Sequence, residues 1–120
     1  MDKFQAIHGL WASFGLPAYE QTSVPDDAQY PYITYEPSVS DFENVVSLSG
    51  KLWYQSTSLA AISQKTEEIA RAVSPYKIIP IDGGYVHITQ GSPFAQPIPG
   101  EKDTIKGKYI YMQAEFFTNY

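Results

Sequence analysis

Cysteine is absent from the chain, so disulfides and thiolate-ligated zinc sites are excluded at the outset. Positive charge is scarce: 8 Lys and Arg stand against 13 Asp and Glu, a net charge of -5. Such a balance gives no attraction to phosphate backbones and excludes a general nucleic-acid binder. Long apolar runs are missing as well. No window approaches the roughly 20 apolar residues of a membrane span. The opening MDKFQAIHGLW carries charges where a signal peptide needs an apolar stretch. A soluble chain, intracellular at synthesis and with no membrane partner, is expected.

Catalytic chemistry is equally thin. GxSxG, P-loop and GxGxxG patterns do not occur. The two histidines are isolated: His8 falls on the polar flank of an N-terminal helix, where it is read as structural, and His87 alternates with Val86 and Ile88, which turns it to solvent. Asp26-Asp27 are adjacent, so their carboxylates aim apart, and no DxDxDG-type loop surrounds them. Asp82, Glu101 and Asp103 read as solvated turn residues, and Asp82-Gly83-Gly84 precedes no helix start that would cradle a phosphate. No residue is assigned to catalysis, to a cofactor or to a metal.

What the chain has in excess is tyrosine, 10 residues in a 15% aromatic share. Tyrosine joins a large contact area to a polar tip, which suits surfaces that meet partners, but it also suits strands. At 120 residues and 43% hydrophobic content, the chain is expected to form one domain over 1–120. Phe4, Ile7, Trp11 and Phe14 recur at helical spacing and predict an amphipathic helix ended by Gly15 and Pro17. Leu16 to Gln29 reads as loop, and Tyr30 to Glu36 as an edge strand, because Pro31 and Pro37 lack donors.

After a turn at 37–41, Asn44 to Tyr54 reads as a long strand with Gly50 marking a bulge or a close backbone approach. Thr57-Ser58 caps a second helix, Leu59 to Val73, with Leu59, Ile62, Ile69 and Val73 as its stripe. A hairpin follows, Tyr76 to Ile81 and Tyr85 to Gln90, around Asp82-Gly83-Gly84. Gly91 to Thr104 is proline-rich and reads as a projecting loop. Lys106 to Phe117 alternates, turning Ile110, Met112, Ala114 and Phe116 inward and Tyr109, Tyr111, Gln113 and Glu115 outward. The expectation is α+β: an antiparallel or mixed sheet of about four to five strands, two helices on one face, order α-β-β-α-β-β-β.

Three stretches together resemble the tail terminator proteins of long-tailed, non-contractile bacteriophages, also called tail completion or tail-to-head joining proteins. They are FGLPAYEQTSVPDDAQYPYITYEP after the first helix, GKLWYQSTSLAAISQKTEEI, and KGKYIYMQAEFFTNY at the end, and together they reach across most of the chain. The resemblance implies an α+β subunit of a homohexameric ring at the head-proximal end of the tail, assembled in the host bacterial cytoplasm. Such a ring caps the tube of the major tail tube protein, ends its polymerisation and receives the head-completion or connector protein. DNA then passes through the lumen only as cargo, and acidic walls would not retain its phosphates. A head-completion, neck or other minor virion role and a monomeric binding adaptor stand as alternatives.

The segment VPDDAQYPYITYEP gains a meaning in this setting. Its prolines restrict the approach over 24–31 and lower the ordering cost of docking. Val24, Pro25, Asp26 and Asp27 with Tyr30, Tyr32 and Tyr35 are the expected assembly surface, against a reading in which the tyrosines pack inside. Phe94 in the 91–104 segment is the second expected contact.

Overall fold

The computed structural model describes residues 1–36, 45–99 and 103–119. The turn expected at 37–41, the strand start at Asn44 and the 100–102 part of the expected loop lie outside the described residues. The elements are α1 (Lys3–Ala12), β1 (Ala18–Glu20), β2 (Tyr32–Tyr35), β3 (Val45–Gln55), α2 (Ala60–Ala72), β4 (Lys77–Ile81), β5 (Gly84–Ile98) and β6 (Ile105–Thr118). They build a 6-stranded mixed sheet in the order β1-β2-β3-β6-β5-β4. β1 and β2 are parallel; the other pairs are antiparallel. The class is α+β as expected, but the sheet has more strands than the four to five anticipated.

The additional strand is β1, three residues read as loop. Its pairing holds through Ile33 N donating to Pro17 O at 2.8 Å and Gln21 N to Tyr35 O at 3.0 Å. Three residues carry no readable alternation, and a parallel pairing across a loop has no turn signal. β2 is therefore covered on its outer side, and the edge position expected for it belongs to β1.

The second difference is in β5. The expected loop is strand as far as Ile98, with the register slipping between Gln90 and Ala95, so that Gly91 to Phe94 stand opposite Tyr111 alone. β4 pairs with β5 only as far as Ile88. Beyond it β5 is an edge strand, where Pro93 and Pro97 are tolerated. Phe94 is half-buried against the core rather than projecting.

One face of the sheet carries the core. Ile33, Tyr35, Val46, Leu48, Leu52, Val86, Ile88, Ile110, Met112, Ala114 and Phe116 are buried there with Ile7, Leu10, Trp11 and Phe14, and with Ile62, Ile69 and Val73 around α2. Asp2 caps α1 in a reciprocal box with Gln5. Trp11 stacks on Tyr35 at 6.3 Å and 12° and meets Phe14 edge-on. Gly50 pairs with Tyr35 across β2–β3, and a Cβ on it would lie 2.7 Å from the Trp11 ring. Gly50 thus marks a close approach, not a bulge: the β3–β6 register runs unbroken.

Phe4, expected in the core, lies outside it, and so does Leu59 of the expected second-helix stripe. Phe4 is 46% exposed. The chain ahead of α1 is tied to the β4–β5 turn, where the Met1 ammonium binds Asp82 at 2.8 Å and Asp82 N donates to Met1 O. Leu59 is 62% exposed, because it stands as N-cap ahead of the first helical residue. The cap role expected of Thr57-Ser58 is met in part, since Ser58 Oγ accepts from Ala60 N at 3.1 Å.

Candidate functional site

Strand alternation sends every second side chain to the face opposite the helices, and no described helix covers that face. In register across it lie Tyr32 with Trp53, Lys51 with Tyr109, Ser49 with Tyr111, His87 with Glu115, and Tyr85 with Phe117. The face mixes aromatic rings with Lys51, Ser49, His87 and Glu115, and Tyr85 and Phe117 are large rings left exposed on it. Its aromatic rings gather in three groups.

At the β1–β2 end, Tyr32 contacts Tyr19 at 5.9 Å and Tyr30 at 5.1 Å between centroids. Trp53 Nε1 donates to Thr34 Oγ1 at 3.1 Å and fixes the neighbouring indole. The loop before β2 turns at 25–28, Ala28 N donating to Pro25 O, and leaves Pro25, Asp26 and Asp27 exposed with Val24 half-buried. Tyr30 is exposed and Tyr32 half-buried, so both can meet a partner. Tyr35 cannot. It is 2% exposed on the helix face, its ring on Trp11 and its hydroxyl sharing a 2.6 Å hydrogen bond with His8 Nδ1. The alternation across β2 placed Tyr32 and Tyr35 on opposite faces, so they could never form one docking surface. His8 is thereby engaged with a buried phenol.

In the middle, Tyr109 and Tyr111 stack at 5.8 Å, with Lys51 Nζ 5.5 Å from the Tyr109 ring centre. At the β4–β5 end, a groove of about 430 Å³ is lined by Tyr76, Ile78, Tyr85, His87, Glu115 and Phe117. His87 does not simply point to solvent; it is half-buried and stacks on Tyr76 at 5.0 Å. This groove was not found from sequence. The exposed positions Tyr76, Ile78, Tyr85 and Phe117 alternate with buried ones, a signal that was present, but joining them required the strand order.

Charge adds a direction to this face. From Phe4 to Gly50 the only charged side chains are the carboxylates Glu20, Asp26, Asp27, Glu36, Asp41 and Glu43; every Lys and Arg except Lys3 follows Gly50. Glu20, Asp26, Asp27 and Glu36, among the described residues, make the β1–β2 segment acidic, with Lys51 of β3 in register beside Thr34. Among the described residues no three or more His, Asp or Glu side chains group in a way that could hold a metal ion. No described helix is long and apolar enough to cross a membrane.

Three tyrosines titrate above the ordinary phenol value. Burial raises Tyr35, with Glu20 adding to it. Burial also raises Tyr32, with the Tyr30 phenol reinforcing it, and raises Tyr54, where Lys65 opposes and Glu68 adds. The folded chain therefore holds these protons more tightly than the unfolded one. Their contribution to stability is complete below pH about 10 and is lost as pH climbs through the raised folded values. Absorbance at 295 nm is expected to show a late phenolate fraction that appears together with loss of the near-ultraviolet circular dichroism. Tyr35→Phe should shrink that fraction.

No family model matches the chain. No curated protein matches it either. Among solved structures, a chain from the virion of a native gene transfer agent particle has a similar fold, with a TM-score of 0.54 at 15% identity. The match covers 88% of this chain and 82% of that one. At that identity the likeness speaks to the fold alone.

Proposed function

We propose that this chain is a non-catalytic structural protein of a bacteriophage virion, acting as a tail terminator. It would form a ring, with copies of itself, on the head-proximal end of a finished tail tube. There it would halt addition of tube subunits and receive the connector of the head. The observation that carries this reading is the bare aromatic sheet face with an acidic end, on a fold shared with a virion chain. A subunit that leaves such a face open gains stability by covering it in an assembly. Val24, Pro25, Asp26, Asp27, Tyr30 and Tyr32 supply the acidic end of the contact; Tyr35 stays in the core and Phe94 supports it from the side.

Loss of the gene tests the post within the particle. Electron microscopy of lysates is expected to show tails of irregular, excessive length. Normal tails beside heads that leak DNA would instead assign the chain to the neck. At the level of the subunit, Asp26→Lys with Asp27→Lys should leave the unfolding midpoint unchanged, since both residues are exposed. The same variant should fail to complement the deletion. Normal particles from it would remove this loop from the contact.

A further inference from the structure

We propose that the groove at the β4–β5 end is a binding site for the arginine side chain of a protein partner. The inference concerns the isolated chain and does not depend on its place in a particle. The sheet register sets the geometry. Ile78, His87 and Glu115 form one row across β4, β5 and β6; Pro80, Tyr85 and Phe117 form the next. Tyr76 closes the side by stacking on His87, and the Tyr85 and Phe117 rings stack at 5.0 Å. The result is a shallow, largely open trough bordered by aromatic rings, with one carboxylate in it.

Glu115 is the only acidic or basic side chain besides His87 among the lining residues. It is half-buried, and among the described residues it makes no ion pair and accepts no hydrogen bond. A carboxylate without an ion-pair partner offers a charge-assisted hydrogen bond to a cation entering the trough. The aromatic faces favour the same occupant by cation–π attraction. Between the two natural cations, guanidinium fits better. It is planar, stacks on rings, is weakly hydrated and can engage a carboxylate with two parallel donors. Addition of a partner strand to the β4 edge is a less suitable mode, because Pro80 withholds a main-chain donor from that edge. Capture of a side chain needs no such donor.

The test is a titration of the purified chain with N-acetyl-arginine amide, followed by nuclear magnetic resonance of the aromatic signals. Saturable shifts confined to Tyr76, Tyr85, His87 and Phe117 are expected. The citrulline analogue, isosteric and uncharged, should produce none over the same range, and the lysine analogue should bind more weakly. Glu115→Gln is expected to weaken binding about tenfold, the scale of one lost charge-assisted hydrogen bond. Tyr85→Leu, which keeps an apolar wall but removes its π face, should weaken it too. Absence of a saturable shift in the wild-type chain would overturn the proposal. So would citrulline binding as tightly as arginine, or Glu115→Gln leaving the affinity unchanged in a folded chain.

Discussion

Replacing Trp11 by alanine is expected to lower the unfolding free energy by about 3–5 kcal/mol, the usual range for a buried aromatic truncated to a methyl group. Total stabilities of small domains are only about 5–15 kcal/mol, so this variant should sit near the edge of folding. The size of the effect follows from position. Trp11 is fully buried, lies flat on Tyr35, meets Phe14 edge-on and occupies the space above Gly50. It joins α1 to both β2 and β3, so its loss opens a cavity between layers that cannot close without moving a helix. Trp11→Phe separates packing from polarity. The Trp11 Nε1–H has no hydrogen-bond partner among the described residues. Removing a buried donor without a partner relieves a desolvation cost of about 1–3 kcal/mol, which offsets much of the lost ring volume. A destabilisation below about 2 kcal/mol is therefore expected for phenylalanine. Urea midpoints of both variants measure the contrast; equal losses would mean that the indole N–H is satisfied in solution.

Gly50 shows how far this arrangement could be read from the sequence. Its place in the middle of a strand signalled a bulge or a close backbone approach, and the structure shows the approach, by Trp11. Periodicity identified Ile7, Trp11 and Phe14 as one face of α1 and the inward row Ile110, Met112 and Phe116 of β6, because each signal lies within one element. Failures came where the decisive contact lies between elements. Ala18–Glu20 becomes a strand only through β2, and the 95–98 part of the proline-rich segment pairs only because β6 lies beside it. Phe4 and Leu59 continue helical spacings yet stand exposed at the N-terminal ends of their helices. Tyr35 looked like part of a tyrosine row, yet the pleat turns it away from Tyr32 and onto Trp11. The candidate site was half legible for the same reason. The acidic loop and Tyr30 and Tyr32 are neighbours in sequence; the β4–β5 groove takes its walls from three strands.

Adding one methyl group to a glycine should have opposite signs at two places in this molecule. A Cβ on Gly84 would lie 1.8 Å from the backbone oxygen of Phe117. No rotamer change can relieve contact with a main-chain atom, so β5 must move away from β6. Gly84 faces Thr118 in register, and Asn119 N donates to Gly83 O at 3.1 Å just beyond. That movement would break the end of the ladder as well. Gly84→Ala is expected to cost about 3 kcal/mol or more, at the upper end of overpacking effects. The damage should be local first: faster hydrogen exchange at Tyr85 and Phe117, whose stacked rings line the groove. Gly9→Ala is the control. Gly9 is exposed within α1, and a Cβ there meets nothing within 4 Å. Alanine should stabilise that helix by roughly 0.5–1 kcal/mol. If Gly84→Ala left the urea midpoint unchanged or raised it as Gly9→Ala should, the close approach of β5 to β6 at Gly84 would not exist in solution.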